Sequence, residues 1–219
     1  MPRLTYRQSP QRFDVTHLSW QRHCTPSREI KPVKITLERV LADQVSSALY
    51  KTYMSAFDPM RTQAAARHVL TPEEFAAEMK DSRIDKYIVW NHDDVPIALT
   101  TLTSDLSAVP WVSREYYASR YPDAAAQGVL FYLGYILVES SFRRSSALIM
   151  MTNQINHRLA ESQGVLGFDI CGYNDASGIG RHTKNLLASS DRIERLDVQS
   201  YYGADYRGLA PAFSNVGAI

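Results

Sequence analysis

The sequence predicts a mixed α/β (α+β) domain built around a central sheet. Strand-like alternation and helical spacing follow one another in the order strand, two helices, hairpin, then strand, helix, strand, helix, strand. Within that order, the apolar run at 135–138 passes through a short polar turn holding two arginines into an amphipathic helix. A long aromatic insertion at 104–128 separates the third strand from the fourth.

Residues 1–32 are polar and irregular, with Phe13 and Trp20 scattered among Arg, Gln, Ser and Pro, and read as an N-terminal arm preceding one domain at 33–219. Val33, Ile35, Leu37 and Val40 suggest a first strand. Asp43 is placed to cap a helix carrying Val45, Leu49, Tyr53 and Phe57 and ending near Asp58-Pro59. In Thr71-Pro72-Glu73-Glu74, Thr71 takes the N-cap and Glu74 reaches back to it, opening a helix that buries Phe75 and Met79. The runs 87–90 and 97–102 flank a polar turn and read as a hairpin. The insertion holds Trp111, Tyr116, Tyr117 and Tyr121, with a short helix signalled by Ser113 and Glu115. Connections of this length usually form lids or pocket walls, and these four aromatics are the candidates for a substrate pocket.

Residues 129–138 carry almost no charge, as a central strand covered on both faces requires. The next helix aligns Leu148, Met151, Ile155 and Leu159, with Gly164 placed to close it. A strand at 165–171, a helix at 178–189 and a final strand at 192–202, alternating about Ile193, Leu196 and Val198, complete the series.

With 219 residues the chain is long enough to bury a core, and 45% hydrophobic with 21% charged residues is ordinary for a soluble globular protein. A net charge of +1 argues against bulk nucleic-acid binding. The N-terminus lacks the apolar run of a signal peptide, and 129–138 is too short to span a bilayer, so a cytoplasmic protein with no membrane partner is expected. Cys24 and Cys171 form neither a disulfide framework nor a metal-binding spacing; reduced thiols and no metal are expected.

The turn at 139–146 has the makings of an anion cradle. A helix N-terminus presents main-chain N–H groups and partial positive charge, and Arg143 and Arg144 add full charges. The stretch from Val138 to Leu148 resembles the acyl-CoA pyrophosphate loop of the GCN5-related N-acetyltransferase (GNAT) superfamily, and the order of elements over 33–202 resembles that superfamily independently. In the family's Arg/Gln-x-x-Gly-x-Gly/Ala pattern, Arg143 takes the first place, Ser146 the first glycine and Leu148 the second small residue, where a branched side chain is expected to crowd the site.

The resemblance implies a mostly antiparallel sheet with helices on both faces, and an acyl-CoA-dependent N-acyltransferase. It implies acetyl-CoA or a longer acyl-CoA as co-substrate and a small-molecule amine as acceptor. Cofactor binding would then fall to Ile136, Leu137 and Val138, whose main chain meets the pantetheine arm, to Arg143, Arg144, Ser145, Ser146 and Ala147 around the pyrophosphate, and to Asn174. Glu139 is the candidate base. The family's acid, a tyrosine, has no match in place, which leaves His182, whose imidazole titrates near neutrality, or Tyr202 or its neighbour Tyr201 at the end of the last strand. Two other readings stand beside this one: a ligand- or partner-binding protein of the same fold without transfer activity, and a transferase whose donor is an acyl carrier protein. A homodimer embraced by the N-terminal arm is a further expectation.

Overall fold

A computed structural model describes residues 34–65, 68–143, 145–187, 193–205 and 207. The N-terminal arm, Val33 and Arg144 lie outside the described residues. Five strands lie in sequence order across one sheet: β1 (Lys34–Glu38), β2 (Ile84–Trp90), β3 (Pro96–Thr103), β4 (Leu130–Val138) and β5 (Val165–Phe168). Pairing is antiparallel from β1 to β4 and parallel between β4 and β5. The mostly antiparallel sheet expected from the sequence is the one observed.

Helix α1 (Asp43–Phe57) and helix α2 (Pro72–Lys80) cover one face, where Leu49, Tyr53, Phe75 and Met79 pack on Ile88, Leu99 and Leu137. Helix α5 (Ala147–Ser162) covers the other, setting Met151 against Val89 and Ala98 and Ile155 against Tyr87 and Leu133. Sheet side chains alternate between faces, so each of these strands feeds both layers.

Several local signals act as read. Glu74 N–H donates to Thr71 Oγ1 at 3.2 Å while Thr71 N–H donates to Glu74 Oε2 at 2.8 Å, a complete capping box with Pro72 in the first turn. Asp43 differs: Ala42 occupies the N-cap and Asp43 is the first helical residue, facing the dipole without capping. At the end of α5 the left-handed residue is Gln163 (φ 51°), and Gly164 N–H closes onto Leu159 C=O at 2.9 Å. Gly164 is needed for another reason, since a Cβ there would lie 2.7 Å from the Phe131 ring.

A buried cation ties β1 to α2. Lys86 on β2 is fully buried, and its ammonium donates to Arg39 C=O at 2.8 Å and Asp81 C=O at 2.6 Å. Burial pushes its pKa down to about 8, against the opposing pull of Asp81, Glu78 and Asp85.

The C-terminal part departs from expectation. Strand β5 stops at Phe168, a short helix α6 (Gly172–Ala176) follows, and the expected helix at 178–189 is α7 (Ile179–Leu186). The expected final strand is absent among the described residues: 193–205 is irregular. Side chains from the insertion hold it instead. Helix α3 (Arg114–Arg120), followed by the short helix α4 (Pro122–Ala126), sends Tyr116 OH to Leu196 C=O at 3.0 Å and Arg120 to both Glu194 oxygens at 2.8 and 3.0 Å, and Tyr121 OH donates to Glu194 at 3.0 Å. Arg195 reaches Asp175 of α6 at 3.0 Å. Of these partners only Leu196 C=O is a main-chain group that a sixth strand would have offered to β5.

Candidate active site

The site is built on β4, which changes partners halfway along. From Leu130 to Leu133 it pairs with β5, ending at the Leu133–Phe168 pair. From Gly134 to Val138 it pairs only with β3, and no strand covers its other edge among the described residues. The two parallel strands therefore part as a fork at Gly134 and Asp169.

A bulge sets what the open edge presents. Between the Leu102–Leu133 and Thr100–Ile136 pairs, β4 spends two residues, Gly134 and Tyr135, against Thr101. Gly134 is required there because a Cβ would lie 2.5 Å from Thr101 Oγ1. Beyond the bulge, Glu139 N–H donates to Ile97 C=O at 2.8 Å, so alternation turns the main-chain groups of Leu137 to β3 and those of Ile136 and Val138 into the fork.

The edge runs into the basic turn. A 3-10 turn at Ser140–Phe142 anchors Phe142 in the core beside Ala147 and Met151. Glu139 organises this turn: its carboxylate accepts from Ser140 Oγ at 3.1 Å, from Ser141 N–H at 3.2 Å and from the Ser141 hydroxyl in a short bond. Partial burial pushes the Glu139 pKa up, but the bonds from Ser141 and Ser140 outweigh it and hold the carboxyl below its ordinary value. A carboxylate so engaged is a loop anchor and a weak proton acceptor.

Arg143 and Ser146 are exposed at the start of α5, and the N-cap residue Ser146 makes no side-chain cap bond. Ser145 Oγ accepts from Ala147 N–H at 3.2 Å. Leu148 is partly buried against the Phe142–Met151 cluster, so its side chain packs toward the core, which relieves the crowding expected at this position. Asn174 lies partly buried in α6, past the end of β5.

The other candidates fall elsewhere. Tyr202 was expected at the end of a strand; among the described residues that strand does not exist, and Tyr202 is 95% exposed. Tyr201 is likewise exposed. His182 is exposed on α7. Tyr116 and Tyr121 are committed to residues 194–196 rather than to a pocket. Tyr117 lies over β5, where a Cβ on Gly167 would come within 2.7 Å of its ring, and stands edge-on to Tyr132. Trp111 does border a crevice, together with Glu78 of α2, Thr101, Tyr132, Gly134 and Tyr135, on the α1/α2 face beside the bulge. A roomier cavity of about 320 Å³ lies between β1 and α5, lined by Ile35, Tyr87, Gln154 and Arg158; it is at the opposite edge of the sheet from the fork and holds none of the candidate residues.

Sequence reasoning missed Tyr132 and Asp169. Tyr132 OH donates to Asp169 Oδ1 at 2.6 Å, placing a carboxylate at the point where β4 and β5 separate. Burial first, then the Asp169 charge, raises the Tyr132 pKa, so the phenol keeps its proton and remains a donor. The signal was faint, one Asp inside the run 165–171 that reads as a strand.

No family model and no curated protein matches the sequence. Among solved structures, the chain is similar to an aminoglycoside acetyltransferase from an uncultured soil metagenomic sample, at 12% identity and a TM-score of 0.46 over 78% of this chain and 97% of that one. It is similar to a ribosomal-protein-alanine N-acetyltransferase from Brucella melitensis biovar Abortus, at 11% identity and 0.44 over 78% and 98% of the two chains. It is also similar to an aminoglycoside N-acetyltransferase in complex with CoA, at 14% identity and 0.42 over 79% and 97%.

Proposed function

We propose that the chain is an acyl-CoA-dependent N-acyltransferase, in the simplest case an acetyltransferase, that passes the acyl group directly to the amine of a small-molecule acceptor. The fork supports this most. Gly134–Val138 offers an open strand edge of about 17 Å, which suits an extended amide-bearing arm, and it leads into a basic turn and a helix start suited to phosphates. In this reading Arg143, Arg144, Ser145, Ser146 and Ala147 hold the pyrophosphate, Asn174 meets the arm from the far side, and Ile136 or Val138 N–H polarises the thioester carbonyl. The crevice bordered by Glu78 and Trp111, about 20 Å³, opens beside the bulge with room for about one water-sized group.

Calorimetric titration with acetyl-CoA, a long-chain acyl-CoA, free CoA and an acylated carrier protein tests the proposal. Acyl-CoA should bind, and Arg143→Ala with Arg144→Ala should weaken it by about tenfold or more, the loss of two phosphate contacts. Binding of none of the CoA species overturns the reading. Binding without turnover over a panel of amines would make the chain a ligand-binding protein of this fold.

A further inference from the structure

We propose that β1 is a homodimerisation edge: two copies of the chain pair antiparallel along Lys34–Glu38 about a two-fold axis at Thr36, joining their sheets into one. This holds whatever the fork binds.

Strand β1 is the outermost of the five, and no strand pairs with its outer edge among the described residues. The unpaired N–H and C=O groups of such an edge are a template for another strand. Proline and bulges, two common protections, are missing: β1 reads Lys-Ile-Thr-Leu-Glu, and its register with β2 runs unbroken from Lys34–Trp90 to Glu38–Lys86. Its two charges stand at opposite ends with opposite sign.

Turned about Thr36, that pattern complements itself. Lys34 stands opposite the partner's Glu38, Ile35 opposite the partner's Leu37, and Thr36 opposite the partner's Thr36, an isologous contact. Parallel pairing in register would set Lys34 beside the partner's Lys34 and Glu38 beside the partner's Glu38, which like-charge repulsion disfavours. A slip by two residues leaves the charges unmatched, and a slip by one turns Ile35 and Leu37 to the wrong face. Glu38 is exposed and makes no ion pair among the described residues. The Lys34 ammonium bonds to Asp94 at 2.5 Å, and its three N–H groups can serve a second carboxylate as well. The axis gives about four main-chain hydrogen bonds if Ile35 and Leu37 turn their amides outward, and about six if Lys34, Thr36 and Glu38 do.

Side-chain packing points the same way. Thr36 lies on the α1/α2 face, its Oγ1 accepting from Trp90 Nε1 at 2.9 Å, so alternation puts Ile35 and Leu37 on the α5 face. Leu37 is 54% exposed there, beside the cavity of about 320 Å³ between β1 and α5. Pairing sets the partner's Ile35 against it, about 4.5–5.5 Å away between Cβ atoms, and lays two apolar side chains of the partner along the open side of that cavity. Each fork, three strands in from β1, stays clear of the axis.

Sedimentation velocity of the full chain from about 1 to 500 µM, a range suited to a small interface, should show wild type passing from monomer to dimer. Lys34→Glu and Glu38→Lys each set like charges opposite one another twice per dimer, and each should weaken the dimer about tenfold. The double variant restores opposite charges and should recover most of that loss, with melting temperatures as the control for folding. Under copper-catalysed air oxidation Thr36→Cys should form a covalent dimer, since opposed Cα atoms lie about 4.5–5.5 Å apart. Lys34→Cys should not, its two copies being about 13 Å apart in this register. Wild type, with Cys24 and Cys171, supplies the background. A monomer throughout the range overturns the proposal, and so does equal cross-linking at 34 and 36. A dimer indifferent to both single charge reversals overturns it too, and moves the interface to the N-terminal arm or another face. If the charge variants fail to fold, the two cysteine variants decide alone.

Discussion

Lys86 gives the fold a pH dependence that can be worked in advance. Its ammonium is fully buried against two carbonyls, and its pKa falls from the ordinary 10.5 to about 8. A lysine depressed in the folded state favours folding fully only above its unfolded pKa, and that contribution is lost as pH falls through the folded pKa. At about pH 7 both states bind the proton; between about pH 8 and 10 the unfolded chain binds more, so stability rises with pH there. Integrated from about pH 7 to about pH 9.5, the gain is roughly 2 kcal/mol. Lys86→Met removes the titrating group at similar length, leaving Arg39 and Asp81 carbonyls without their donor at a cost of about 1–3 kcal/mol that does not vary with pH. Urea unfolding followed by far-ultraviolet circular dichroism at both pH values should show wild type gaining roughly 2 kcal/mol relative to the variant, tyrosine ionisation being common to both. Parallel pH dependences, within about 0.5 kcal/mol, would refute the argument that burial dominates at Lys86.

Gly134→Ala should destabilise by about 1–3 kcal/mol through the clash with Thr101 Oγ1, and a second change, Thr101→Ala, should recover much of the loss in melting temperature. Glu139→Gln should weaken acetyl-CoA binding severalfold by loosening the Ser140–Phe142 turn while kcat at saturation stays within about threefold; a base at Glu139 would instead abolish turnover. Glu194→Gln should speed amide exchange over 193–198, since Glu194 accepts from both Arg120 and Tyr121; unchanged exchange would show that these bonds do not hold the segment.

Periodicity revealed the layers because burial imposes it: Leu49, Tyr53 and Phe75 on one side and Met151 and Ile155 on the other are spaced as one-sided helices must be. The capping box was legible because its chemistry is local, three residues apart. The last strand was not, because alternation in Ile193, Leu196 and Val198 cannot say whether a neighbouring strand is there to pair with; Tyr116, Arg120 and Tyr121, some 75 residues earlier, decide it. The site divides in the same way. The basic turn was visible in one window of sequence, whereas Asp169 acquires meaning only through Tyr132, 37 residues away on the neighbouring strand. Gly134 carried a readable sign, a lone glycine in an apolar strand, of the bulge it turns out to make.

The bulge at Gly134 and Tyr135 has a consequence for which mutations can silence the open edge. One extra residue reverses the strand's alternation, which lets Tyr135 and Leu137 face α1 while Ile136 and Val138 aim their amides outward. Those amides belong to the backbone, so nineteen residue types can stand at either position without deleting them; proline alone lacks the N–H. Drift in side chains along this edge can therefore erase a motif while its hydrogen-bonding pattern persists. Deleting a single residue at the bulge would leave one residue opposite Thr101 and keep the Leu102–Leu133 and Thr100–Ile136 pairs, so these amides would go on facing the fork.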